Sequence, residues 1–84
     1  MAQVLMYCTR ACPYCQMAGR LLEKKGVHID RIRVDEEPAR RDEMTRVTGR
    51  TSVPQIFIGD THVGGYTELA ELDMEGELDK MLTA

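Results

Sequence analysis

A proline set between two cysteines, in "CTRACPYCQ" (residues 8–16), constrains this chain more than any other feature. Proline has a fixed φ and no N–H to donate, so a helix tolerates it only in its first turn. Pro13 therefore opens a helix, with Cys12 at its N-cap edge and Cys15 one turn inside. Ahead of it, "QVLMY" (residues 3–7) is a nearly continuous apolar run that suits a buried strand. Behind it, Tyr14, Met17, Ala18, Leu21 and Leu22 recur at helical spacing and predict the stripe that faces the core. Lys24 and Lys25 suit the helix C-terminus, and Gly26 ends it. The chain thus begins as strand, cysteine loop and helix.

In "VHIDRIRVD", Ile32 and Val34 alternate with Arg31 and Arg33, while Val27 and Ile29 alternate in the opposite phase. That slip predicts a strand starting near Asp30, with Val27 and Ile29 capping the preceding helix. A β-α-β crossover of this length implies parallel pairing. "EEPARRDEMTRVTG" predicts a second helix with acids in its first turn, Pro38 near the start and Gly49 at the end. "VPQIFIGDTHVGG" reads as an antiparallel hairpin about Gly59-Asp60, with Pro54 confined to the first strand position. The last segment is helical, but Leu69 and Leu72 lie on one stripe and Leu78, Met81 and Leu82 on another. A break at Gly76 reconciles them. The order β-α-β-α-β-β-α is α/β, a four-stranded mixed sheet with three helices on its two faces, forming one domain over 1–84.

The chain has 84 residues, 43% of them apolar and 30% charged, with a formal net charge of −3. That balance argues against disorder and against a polyanion such as nucleic acid as partner. No window approaches a membrane span, and "MAQVLMYC" lacks the basic start of a signal peptide. All three cysteines lie between residues 8 and 15, unlike the spread framework of a secreted mini-protein. A reducing cytoplasm is expected, and a monomer suffices.

In such a compartment Cys-x-x-Cys means redox chemistry or metal more often than a permanent bridge. Half of a zinc site would need two further ligands, and His28 and His62 do not have ligand-pair spacing. No metal is expected. A static disulfide would close only a tiny loop and so stabilise little. For a working pair the placement is apt: cysteines three apart on a helix bring their Cβ atoms to roughly 5–6 Å, within adjustment of a disulfide. Unpaired N–H groups and the dipole at the helix start favour thiolate at Cys12, and Arg10 adds positive charge. Cys15, deeper, gains less. One thiol is a nucleophile, the other a resolver. Cys8, at the end of the first strand, reads as a small buried hydrophobe, or more sharply as a second resolving thiol or an oxidation site.

"CPYC" opening a helix, "TSVPQIFI" some way downstream and "GGYTEL" after it resemble, in order and spacing, the glutaredoxins of the small dithiol bacterial type. The resemblance runs almost end to end and implies a thioredoxin-like fold that uses glutathione. It implies Cys12 as the attacking and Cys15 as the resolving cysteine, joined as a Cys12–Cys15 disulfide when oxidised. Tyr14 would flank the bound tripeptide. In "TSVP" (Thr51, Ser52, Val53, Pro54) a cis bond before Pro54 would expose the Val53 backbone to pair with glutathione as an added strand. Gly64 and Gly65 would let the chain pass close to the ligand, and the helix start at Thr67 and Glu68 would receive its γ-glutamyl carboxylate. Two positions depart from the pattern. Thr9 stands where many members carry lysine, which leaves Arg10 to reach the glycine carboxylate. Thr67 and Glu68 stand where many have two aspartates.

The implied activity is glutathione-dependent thiol–disulfide exchange on glutathionylated or disulfide-containing protein clients. Two alternatives have different marks. A thioredoxin-like electron donor reduced by a flavoenzyme usually carries another sequence where "GGYTEL" stands. A glutathione-ligated iron–sulfur carrier is best known with one cysteine followed by Gly-Phe-Ser, whereas here Pro13 stiffens the loop and Cys15 competes for Cys12.

Overall fold

The computed structural model describes residues 2–84. Its elements are β1 (Val4–Cys8), α1 (Pro13–Lys24), β2 (Ile29–Arg33), α2 (Pro38–Thr48), β3 (Gln55–Ile58), β4 (Thr61–Gly64), α3 (Tyr66–Met74) and α4 (Glu77–Thr83). One sheet has the strand order β2-β1-β3-β4. β1 pairs parallel with β2, Val4 opposite Ile29, and antiparallel with β3, Val4 opposite Ile58. β3 and β4 form the hairpin.

The continuous apolar run of β1 follows from burial on both faces. Val4, Met6 and Cys8 pack with Ile29, Ile56 and Ile58 against Cys15, Ala18, Leu22, Leu69, Leu78 and Leu82 of the helices. Tyr7 points the other way, to a smaller core with Ile32, Val34 and Met44 of α2. The same two faces correct the reading of β2. Ile29 belongs to the strand and the first core, Ile32 and Val34 to the second, so the change of phase marks a change of face. In α1, the buried residues are Cys15, Ala18, Gly19 and Leu22, while Tyr14 and Met17 are exposed. The helix is turned from the expected stripe so that Cys15, rather than Tyr14, meets the core.

The local stop signals act where expected. Pro13 and Pro38 stand at helix starts, Gly49 ends α2 at φ 72°, and Gly76 at φ 77° divides the last segment into α3 and α4. Only the acids expected in the first turn of α2 fall outside it, because Glu36 and Glu37 precede Pro38. Lys25 spans the break, 2.7 Å from Asp73 and 3.0 Å from Asp79.

α2 buries only Met44 among its residues, so its hold on the sheet leans on a polar contact. The Tyr7 hydroxyl donates to Glu43 Oε2 at 2.6 Å. Burial and this bond push Tyr7 up to about 12, and the Tyr7 hydroxyl holds Glu43 below the usual carboxylate range. Losing a bond of this kind costs about 1–2 kcal/mol, which is the loss expected for Tyr7→Phe in urea unfolding at neutral pH. A carboxylate lowered on folding stabilises above its ordinary range and loses that stabilisation as pH falls. The gap between Tyr7→Phe and wild type should therefore narrow in acid; an unchanged gap would show that ionisation of Glu43 adds nothing to the bond.

Candidate active site

Cys12 is the N-cap of α1, in extended conformation with φ −122° and ψ 102°, which places its sulfur over the open first turn. The Cys15 N–H donates to Cys12 Sγ at 3.2 Å, a donor that a sulfur anion can use. On its other side Cys12 Sγ lies 3.8 Å from the Val53 carbonyl oxygen. Cys15 is 4% exposed and Cys12 8%. Burial, and the bond its thiol makes to Cys12, push the Cys15 thiol up to about 12. Two adjacent sulfurs resist ionising together, so Cys15 holds its proton. All three cysteines are free thiols.

From Val53 a groove of about 240 Å³ runs between the segment Arg50–Gln55 and the start of α3, with Tyr14 at its edge. The Val53–Pro54 bond is cis. Tyr14 and Tyr66 both line the groove, their tilted rings 6.2 Å apart between centroids. Buried Gln55 donates to the Ser52 carbonyl at 3.0 Å and, through Oε1, meets His62 Nε2 at 2.8 Å, which fixes the loop from behind. Burial, with Arg50 nearby, lowers His62, so its ring is neutral and donates to Gln55. At the α3 terminus Glu68 reaches back to accept the Gly65 N–H at 2.7 Å and the Arg50 guanidinium at 3.2 Å. These contacts, the Gly65 N–H foremost, hold Glu68 below the usual carboxylate range. Gly64 has φ 112°, and a Cβ there would run into the Glu68 carboxylate.

The fold thus gathers Tyr14, Ser52, Val53, Pro54, Gly65, Thr67 and Glu68 into one groove beside Cys12. Arg10 is not brought to it. Its guanidinium pairs with Glu36 at 2.9 Å, 78% exposed, and its N–H donates to Asp35, on the other side of the cysteines. Arg50, Gln55 and Tyr66 line the groove and were not singled out from the sequence. A signal for Arg50 existed: it is the one basic residue flanking "TSVP", directly after the Gly49 stop. Among the described residues no group of three or more His, Cys, Asp and Glu side chains is placed to hold a metal ion.

A dithiol at a helix start, beside a cis-proline loop on a β-α-β-α-β-β framework, defines a thiol–disulfide oxidoreductase of thioredoxin-like fold. The glutaredoxin family model matches residues 4–63. A glutaredoxin of Neisseria meningitidis is 57% identical over 83 residues, 98% of each chain. The solution structure of glutaredoxin from Brucella melitensis is 44% identical, with TM-score 0.85 over 98% of this chain and 89% of that one. A crystal structure of a buckwheat glutaredoxin–glutathione complex, 29% identical, superposes with TM-score 0.90 over 98% of this chain and 77% of that one. The chain belongs to the glutaredoxin family.

Because burial holds Cys8 and Cys15 protonated, brief iodoacetamide treatment of the reduced protein at neutral pH should place one label, on Cys12. Peptide mapping checks this; equal labelling of Cys15 would contradict the asymmetry of the pair.

Proposed function

We propose that glutathione binds in the groove beside Cys12 and serves there as reductant and co-substrate. The chain is a glutathione-dependent thiol–disulfide oxidoreductase. The observation that carries the site is the Cys12 sulfur, set at the helix start and 3.8 Å from the carbonyl of Val53 where the groove begins. The residues fit the ligand. Val53 offers backbone for strand-like pairing, the first N–H groups of α3 at Tyr66, Thr67 and Glu68 suit a carboxylate, and Arg50 and Glu68 supply one charge of each sign. Tyr14, Ser52, Pro54 and Gly65 complete the contact surface. Arg50, which lines the groove where Arg10 does not, pairs with the γ-glutamyl carboxylate, and Glu68 with the ammonium beside it.

In the cycle Cys12 attacks the glutathione sulfur of a protein–glutathione mixed disulfide. The Cys12–glutathione bond forms, and the protein sulfur leaves with the electron pair. Cys12 is then released by a second glutathione thiolate, with glutathione disulfide as product. On a protein disulfide, Cys15 loses its proton, attacks Cys12 and expels the client thiolate, leaving a Cys12–Cys15 bridge for glutathione to open. The clients are glutathionylated or disulfide-bearing proteins, met by a monomer in the cytoplasm; within the described residues no helix is long and apolar enough to cross a membrane.

Turnover of a glutathionylated peptide, coupled to glutathione disulfide reduction, tests this reading. Cys12→Ser should abolish turnover and Cys15→Ser should retain it. Arg50→Gln should raise the KM for glutathione about tenfold, equivalent to about 1.4 kcal/mol, while Arg10→Gln leaves it unchanged. Turnover in Cys12→Ser, or electrons drawn only from a thioredoxin reductase, would overturn it.

A further inference from the structure

Cys8 has no part in that cycle, yet the fold does not bury it among hydrophobes alone. A second pocket, of about 180 Å³, opens on the Arg10 side of the dithiol, away from the groove. Cys8 and Cys15 both line it, with Thr9, Gln16 and the arginines Arg10, Arg31 and Arg33. Cys12 does not line it; its sulfur faces Val53. Cys15 thus meets Cys12 through its own N–H and shares the second pocket with Cys8. Thiol–disulfide exchange needs an entering thiol beside the sulfur it attacks, and Cys8 shares with Cys15 both this pocket and the core beneath it.

We propose that Cys8 is a third redox thiol, which takes Cys15 from the Cys12–Cys15 disulfide and sets Cys12 free. The inference rests on the dithiol cycle and extends it. Cys8, as thiolate, attacks Cys15 Sγ. The Cys8–Cys15 bond forms, the Cys12–Cys15 bond breaks, and Cys12 leaves with the electron pair; the proton released by Cys8 passes to solvent. The protein is neither oxidised nor reduced by this step, so it needs no further reagent. The reverse attack by Cys12 restores the original bridge.

The surroundings favour the exchanged state over the exchange rate. Burial pushes Cys8 up, Asp35 and Cys12 adding to it while Arg33 and Arg31 pull the other way. A thiol so disposed gives up its proton slowly, but once in a disulfide it has no charge to solvate. Cys15 is under the same constraint. A bridge between the two buried sulfurs leaves outside it the sulfur that receives the Cys15 N–H and borders the groove. Oxidised enzyme in this form keeps Cys12 as a thiol, able to attack a protein–glutathione mixed disulfide while its disulfide is stored out of reach.

The sequence makes the test direct. Trypsin cuts after Arg10 and Arg20, so Cys8 lies on peptide 1–10 and Cys12 and Cys15 on peptide 11–20, and chymotrypsin then cuts between Tyr14 and Cys15. The reduced full chain is oxidised with glutathione disulfide, denatured in acid, alkylated with N-ethylmaleimide and digested. The expected result is a cross-linked pair of the two tryptic peptides, resolved by chymotrypsin to Cys8–Cys15 with Cys12 alkylated, and lost in Cys8→Ser. Cys12→Ser, oxidised with diamide, should give the same cross-link within one chain. Oxidised protein whose Cys8 is wholly alkylated beside a Cys12–Cys15 bridge would overturn the proposal and leave the dithiol cycle standing. A cross-link from Cys8 to Cys12, or between two chains, would overturn it as well.

Discussion

The active site depends on one backbone hydrogen bond, from the Cys15 N–H to Cys12 Sγ across the first turn of α1. It exists because Pro13 starts the helix at that point, which leaves Cys12 extended and its sulfur facing N–H groups without helical partners. Turning the helix would keep that bond but change what each sulfur faces. The buried line Cys15, Ala18, Gly19 and Leu22 fixes the rotation of α1 on the sheet, and that rotation decides which cysteine is hidden and which meets the groove. Packing several turns away thus sets the chemical difference between two cysteines separated by two residues.

The facing wall is built from parts distant in sequence. The turn out of α2 carries Arg50, and the short β3–β4 hairpin returns the chain so that α3 begins beside it. Gln55 is the one buried polar residue of the chain's described core, and its amide is satisfied at both ends, by Ser52 and His62. A fully partnered buried amide is a rigid one. It supports the cis-proline loop from beneath, so the Val53 carbonyl keeps its place against Cys12. Glycine is needed at Gly64 for two reasons that coincide: its φ is positive, and the Glu68 carboxylate occupies the space a Cβ would take.

The fold was largely legible because its punctuation is local. Pro13, Gly26, Pro38, Gly49 and Gly76 each act through their own φ, and every one stands at an element boundary. What escaped was set by tertiary packing. Tyr14 and Met17 are apolar and correctly spaced for a core stripe, and nothing in α1 itself says that the sheet meets the neighbouring face. The two phases around Ile29 and Ile32 look like a slip until both faces of the sheet are known to be covered. The cysteine pair was legible for the opposite reason, since its helix position follows from Pro13 alone. Arg10 stood out by its nearness to Cys12 in sequence. The turn after β1 instead gives its N–H to Asp35 and its guanidinium to Glu36, whereas Arg50 reaches the groove only through the path of the whole chain.

That substitution of one arginine for another bears on how a ligand of glutathione's charge would be received. Arg50 and Glu68 form an ion pair in the groove itself, both half-exposed, so the free protein leaves neither charge unpaired. A γ-glutamyl group brings an ammonium and a carboxylate together. It can part the pair by matching each member with its opposite, and the number of paired charges does not fall. A ligand with carboxylates alone would have to leave Glu68 facing like charge, and one with an ammonium alone would strand Arg50. Breaking a charge pair from one side costs more than exchanging both partners. The Glu68 side chain is long enough to reach back to the Gly65 N–H while holding Arg50, so it caps α3 and pairs with the groove's arginine through the same oxygen.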